Sequence, residues 1–377
     1  MTHPLPWRGR PVLLTLVITA AVMVTARSSW ITSSACGCVA VNGDNAMIGA
    51  ADKEHVRPEA AREALKARGA LLRRDPTLPG HPVVEVSVLS RELTDEDMSS
   101  VAQFARLDQF YCTGSPVGDR GIRQLSPLRH LTVLGLAGTR ITDGGLSTLQ
   151  HLHTLRSLYL GNTAVTDAGM ESIARLDRLE VLFLNHTRIG DVGATHLKAL
   201  HRLRTLSLQA TRIGDPTLVA LSHNPRIECL YLNGTRVTDE GLTNLRHLER
   251  LNALYLGDTH ITDRGLGTLR KLQRLQCLVV ANTRATDTGI KAIVAIRSLS
   301  SLALAGTQIT DRGITNIIRM KGLTALDLSD TRVTDAGVDQ LAHLPKLRML
   351  TIVNTMVSSG TIARLQSVLP ACRIRRD

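Results

Sequence analysis

Basic residues recur at positions separated by multiples of 24: Arg140, Arg188, Arg212, Arg236, His260, Arg284 and Arg332. A column of guanidinium groups can grip carboxylates, phosphates or sulfates, because each planar fork offers paired donors and a permanent charge. A second column of the same period holds the aromatic residues Tyr111, Tyr159, Phe183, Tyr231 and Tyr255, with Gly135 and Ser207 between them. All four tyrosines of the chain stand in it. Two readings fit the aromatics. They can be filler on an exposed sheet face, or the contact stripe of a binding surface, where tyrosine is enriched. Two readings fit the arginines as well. They can steer an acidic partner toward the aromatics, or form a solvated rim that keeps the chain soluble.

Other chemistry-bearing residues are less suggestive. Arg178, Arg202, Arg226, Arg250 and Arg274 form a third basic column, which reads as sitting at helix C-termini, where cations complement the helix dipole. Asp327 and Asp330 make a small acidic spot that reads as solvated surface. His151, His223, His247 and His343 share a column on polar helix surface and do not converge on a metal. Cys229 and Cys277 stand two periods apart in one column, roughly 10 Å, which is too far for a disulfide. Cys112 takes a core position, so the cysteines are expected to stay unpaired. The chain shows no nucleophile elbow, no phosphate-binding glycine loop, no zinc spacing and no paired acid and base. The expectation is a protein with no catalytic residue, no metal and no cofactor.

The elements that carry these columns follow from the apolar pattern. Leu134, Leu158, Leu182, Leu206 and their successors to Leu350 lie 24 residues apart, each with a partner two residues on, such as Leu136 or Leu160. The i, i+2 spacing puts both on one face of a strand. Leu242, Leu245 and Leu248 show the i, i+3, i+6 stripe of a helix. Each period is one short strand and one short helix, and only stacking of neighbours buries both faces. Threonine closes each strand, as at Thr139 and Thr163, where its hydroxyl is expected to satisfy backbone groups between neighbouring units. Aspartate recurs from Asp95 to Asp335 at the helix starts, where it is expected to act as N-cap.

The segment LTVLGLAGTRITDGGL, Leu131 to Leu146, resembles a leucine-rich repeat. It is most similar to bacterial, planctomycete-type 24-residue repeats akin to the ribonuclease-inhibitor-like and cysteine-containing classes, with Thr at the usual Asn or Cys position. The resemblance implies an α/β fold, a curved right-handed horseshoe solenoid with a parallel concave sheet and outer helices. It implies a non-enzymatic scaffold that binds a protein partner on the concave face. The aromatic and first arginine columns become the expected contact residues. One alternative is a binder of an anionic polymer, acidic glycan or nucleic acid, through the arginine rim. Another is a substrate receptor of a ubiquitin-ligase-like complex, as some relatives are, although no adaptor-binding domain flanks the repeats.

Composition fits this reading. Of 377 residues, 43% are hydrophobic but only 2% aromatic, so aliphatic side chains must fill the core. The formal net charge of +12 and pI near 10.0 point to a protein partner with acidic surface, nucleic acid being disfavoured. Residues 1–35 open with Arg8 and Arg10, an apolar run to Ala26 and small residues, which reads as a signal peptide or N-terminal membrane anchor, with lipidation at Cys36 a further option. An exported or membrane-anchored location follows, with a cytoplasmic one less favoured. Residues 36–56 read as a linker and 57–90 as an N-terminal cap of helix plus strand. Residues 83–377 read as a solenoid of about twelve units closed by a C-terminal cap at 366–377.

Overall fold

The structure, a computed structural model, describes residues 57–88 and 92–376. The expected leader and linker lie outside the described residues. Helix α1 (Arg57–Ala67) buries Ala61 and Leu65. Gly69, at φ 74, reverses the chain into β1 (Ala70–Arg74), which pairs antiparallel with β2 (Val83–Val88). Ala70–Arg74 is built of Ala, Leu and Arg, which favour helices. Its strand conformation comes from the glycine turn and from pairing with the β-branched run that follows.

From β2 onward every strand pairs in parallel with the next in chain order, to β14 (Arg373–Arg375), giving one open 14-stranded sheet. The register advances by one 24-residue period per strand: Leu134 opposes Leu158, which opposes Leu182. Most repeat strands are three residues long, such as Val133–Gly135. Their central leucines and the leucines two residues on are essentially fully buried and form one continuous core with helix residues such as Leu146 and Leu149. Fold class is therefore the expected leucine-rich α/β solenoid.

Behind each strand the backbone passes through the left-handed region at one fixed place, including Gly138, Asn162, His186, Ala210, Gly234 and Asp258. Glycine and Asn or Asp tolerate that conformation best. The threonine one residue further folds back. Thr139 Oγ1 donates to the Leu136 carbonyl at 2.6 Å, and Thr163 and Thr187 do the same three residues back. This corrects the expectation that these hydroxyls link neighbouring units. The turn is so tight that the carbonyl of the same unit lies nearer than any in the next.

The aspartates carry the inter-unit link instead. Asp119 accepts the Thr142 amide at 2.7 Å on one oxygen and the Thr142 hydroxyl on the other, and Asp143, Asp215, Asp239, Asp263, Asp287 and Asp311 repeat the pattern. The N-cap is the residue before each of these, glycine before Asp119 and Asp215 and threonine before the others, such as Thr142, whose hydroxyl accepts from Gly144. Aspartate thus takes the first helical position rather than the expected cap. A carboxylate there has two oxygens aimed at the following unit, and threonine, one residue earlier, has the extended backbone a cap requires.

Candidate binding face

The solvent side of the sheet and its two edges hold the basic and aromatic columns. Arg140, Arg188, Arg212, Arg236, Arg284 and Arg332 are all exposed. Each is set by a backbone hydrogen bond to the preceding unit: the Arg212 amide donates to Ile189, that of Arg236 to Ile213, that of Arg284 to Ile261. Short parallel bridges reinforce this edge, as at Gly190 with Arg212 and Thr262 with Arg284. Six of the nine units from Arg140 to Arg332 therefore hold an arginine at the rim where the strands exit, with Ala164, His260 and Gln308 in the others. Among the described residues none of the six makes an ion pair, whereas in the column two residues before each strand leucine the four charges from Arg156 to Glu228 alternate and pair, Arg156 with Glu180 at 3.0 Å and Arg204 with Glu228 at 2.8 Å.

Four rings of the aromatic column form a continuous stack. Ring centroids lie 5.3 Å apart for Tyr159 and Phe183, 6.0 Å for Phe183 and Tyr231, and 4.3 Å for Tyr231 and Tyr255, the last pair nearly parallel. Phe183 and Tyr231 lean over the small Ser207 to meet. Tyr111 stands apart and lies on Gly135, where a Cβ would come within 2.5 Å of its ring. Tyr111, Tyr159, Phe183 and Tyr255 are 2–4% exposed, and Tyr231 is half-buried. Burial pushes the Tyr159 hydroxyl up to about 12 and raises that of Tyr111 further. The sheet spacing could have signalled this packing, since rings on strands about 4.8 Å apart are forced into contact.

Three expectations change here. Asp327 is not solvated surface: it is 6% exposed and accepts from the Ser329 amide and hydroxyl at 3.0 and 2.7 Å. Burial raises its pKa, more than the Ser329 bonds lower it. Asp330 is exposed and accepts from Asn354 at 2.7 Å. Arg178, Arg202, Arg226, Arg250 and Arg274 lie in turns beyond the helix ends rather than in the last helical turn. Finally, Cys229 is disulfide-bonded, while Cys112 and Cys372 are free. The distance argument against a Cys229–Cys277 bond stands, but it considered only partners within the column. Burial pushes the Cys112 thiol up to about 12, consistent with a small core hydrophobe. Among the described residues no cluster of His, Cys, Asp and Glu could hold a metal, and no helix is long and apolar enough to cross a membrane.

A rigid sheet face with edges of regularly spaced, unneutralised charge defines a repeat solenoid equipped to present surface. The profile of the family described as "Leucine-rich repeat region" matches residues 113–370, and the chain belongs to that family. Among solved structures it is similar to an internalin from Listeria monocytogenes, with a TM-score of 0.61 and 21% identity, covering 84% of this chain and 93% of that one. It also matches a leucine-rich repeat protein of Leptospira interrogans at 14% identity and a TM-score of 0.44, over 75% of this chain and 94% of the other. No curated protein matches.

Proposed function

We propose that this chain is a non-enzymatic scaffold that binds an acidic protein on the solvent face of its sheet. The observation that carries the reading is the rim of six exposed arginines in the nine units from Arg140 to Arg332, each held by backbone and none ion-paired among the described residues. Charges left without counter-ions on a rigid frame steer and orient a partner at small entropic cost. The aromatic stack forms the floor beside them. Its buried rings stiffen that floor, and the half-buried Tyr231 is the ring most open to a partner. A disulfide at Cys229 fits an oxidising compartment, in keeping with an exported protein.

The test is affinity capture from the native cell with quantitative mass spectrometry. Wild type is compared with a variant carrying Arg188→Ser, Arg212→Ser, Arg236→Ser and Arg284→Ser, and with one carrying Tyr159, Phe183, Tyr231 and Tyr255 all changed to serine. Equal melting behaviour of the arginine variant and wild type is checked first. A specific protein should be depleted about tenfold by the arginine changes, and its retention should fall as salt screens the rim. Recovery of the same set by all three forms would sink the proposal.

A further inference from the structure

The opposite edge of the solenoid, where each helical segment returns to its strand, is also basic. The return is a two-residue turn in every repeat, such as Asp177-Arg178, His201-Arg202, Pro225-Arg226, Glu249-Arg250 and Gln273-Arg274. Each such turn from Arg129-His130 to Pro345-Lys346 carries at least one basic residue, and the only acids on these turns are Asp177 and Glu249. The base occupies either turn position: His153 and Lys321 take the first, Arg226 and Arg274 the second. A packing role would fix the position. A demand for charge on that edge would not.

The helix dipole does not account for this edge. The preceding helical segments end at Ala174, Ala199, Leu221, His247 and Lys271, before the turns begin. Dipole stabilisation fades within the last helical turn, and these segments are short. Among the described residues, Arg178, Arg202, Arg226, Arg250 and Arg274 make no ion pair, and all are exposed. Neighbouring turns also enclose clefts. One of about 410 Å³ is lined by His201, Arg202, His223 and Arg226, and one of about 610 Å³ by His151, His153 and Arg178 among others. Each cleft gathers bases from two successive units.

We propose that this helix-to-strand edge binds a linear anionic polysaccharide bearing sulfate or phosphate groups, its charges lying along the row of turns. An extended polyanion matches a one-dimensional row of bases, and guanidinium forks suit sulfate and phosphate geometry. Single-stranded nucleic acid is the weaker fit, because it calls for aromatic platforms beside the charges. From Tyr111 onward, every aromatic of the repeats stands in the sheet-face column. The proposal is independent of the sheet-face reading, since it uses different residues on the other edge.

The experiment is binding of the full chain to heparin, a sulfated polysaccharide, over a salt series. Two variants of equal charge loss are compared: Arg178, Arg202, Arg226 and Arg250 to serine, and Arg188, Arg212, Arg236 and Arg284 to serine. The first should lose about tenfold in affinity, the sum of several modest surface pairings, and the second, which removes the same charge from the other edge, should lose several times less. A third variant, with the first four arginines changed to lysine, should keep most of the affinity. Absence of heparin binding, equal losses in both serine variants, or duplex DNA and single-stranded RNA binding as tightly as heparin would each overturn the proposal.

Discussion

At the scale of single residues, burial inverts the behaviour of one carboxylate. Asp327 is enclosed, and desolvation raises its pKa above the ordinary 3.8 despite two bonds from Ser329. A carboxyl group whose folded pKa lies above its unfolded value costs stability wherever it is ionised. That cost fades as pH falls through the raised value and is absent below the unfolded one, near 4. Asp327→Asn keeps an oxygen to accept from Ser329 and removes the charge. The variant should be more stable than wild type at pH 7, by about 1 kcal/mol, the low end of the cost of burying a polar group. The gain should shrink as pH is lowered toward 4. Urea unfolding at several pH values measures it, and a gain independent of pH would show that the charge is not the cause.

At the scale of the element, the Thr-Asp-x-Gly signature is a clamp between units. The glycine exists because the previous unit's aspartate presses on it: a Cβ at Gly145 would lie 2.5 Å from Asp119 Oδ1 and 2.7 Å from Ile141. Three units depart from the pattern, with Gly118, Gly190 and Gly214 where others have threonine. At the last of them Asp191 lacks that hydroxyl, and Thr217, at the glycine position, supplies one at 2.6 Å. Gly145→Ala should therefore destabilise by about 2 kcal/mol through overpacking. Gly267→Ala, in the helix Asp263–Thr268 with nothing within 4 Å of the new methyl, should stabilise by up to about 1 kcal/mol. Thermal melts of the two variants test this, and a shared sign would refute the clamp. The sequence displayed the period, the strand leucines and the residue types of each column, because repeated burial repeats the same letters. Partners were not legible. Thr139 and Asp143 recur with equal regularity, and only the tightness of the turn decides that one bonds within its unit and the other across to the next. The Asp327 column likewise reads as open sheet surface, and its burial emerges only from packing.

At the scale of the whole molecule, near-identical interfaces make the number of repeats adjustable while the period is not. A solenoid's stability is a sum of units and nearest-neighbour contacts. Removing residues 236–259 joins Thr235 to His260, which occupy consecutive positions of the repeat. Asp215, which holds Thr238, would then face Thr262, the residue that Asp239 holds now, with the same pair of bonds on offer. Tyr231 would lie beside Val279 instead of Tyr255, losing a ring stack worth about 1 kcal/mol. This chain should fold with an unchanged circular dichroism shape and unfold cooperatively at somewhat lower urea. Removing only residues 236–247 takes the helical half and leaves the strand Cys229–Tyr231 in place. Leu230 and Leu232 would then lack the cover of Leu242 and Leu245, and no neighbouring unit could replace it. Cooperative unfolding should be lost or split into two phases. Equal tolerance of both deletions would mean that the strands stand without their helices, and that the core does not depend on the 24-residue unit as a whole.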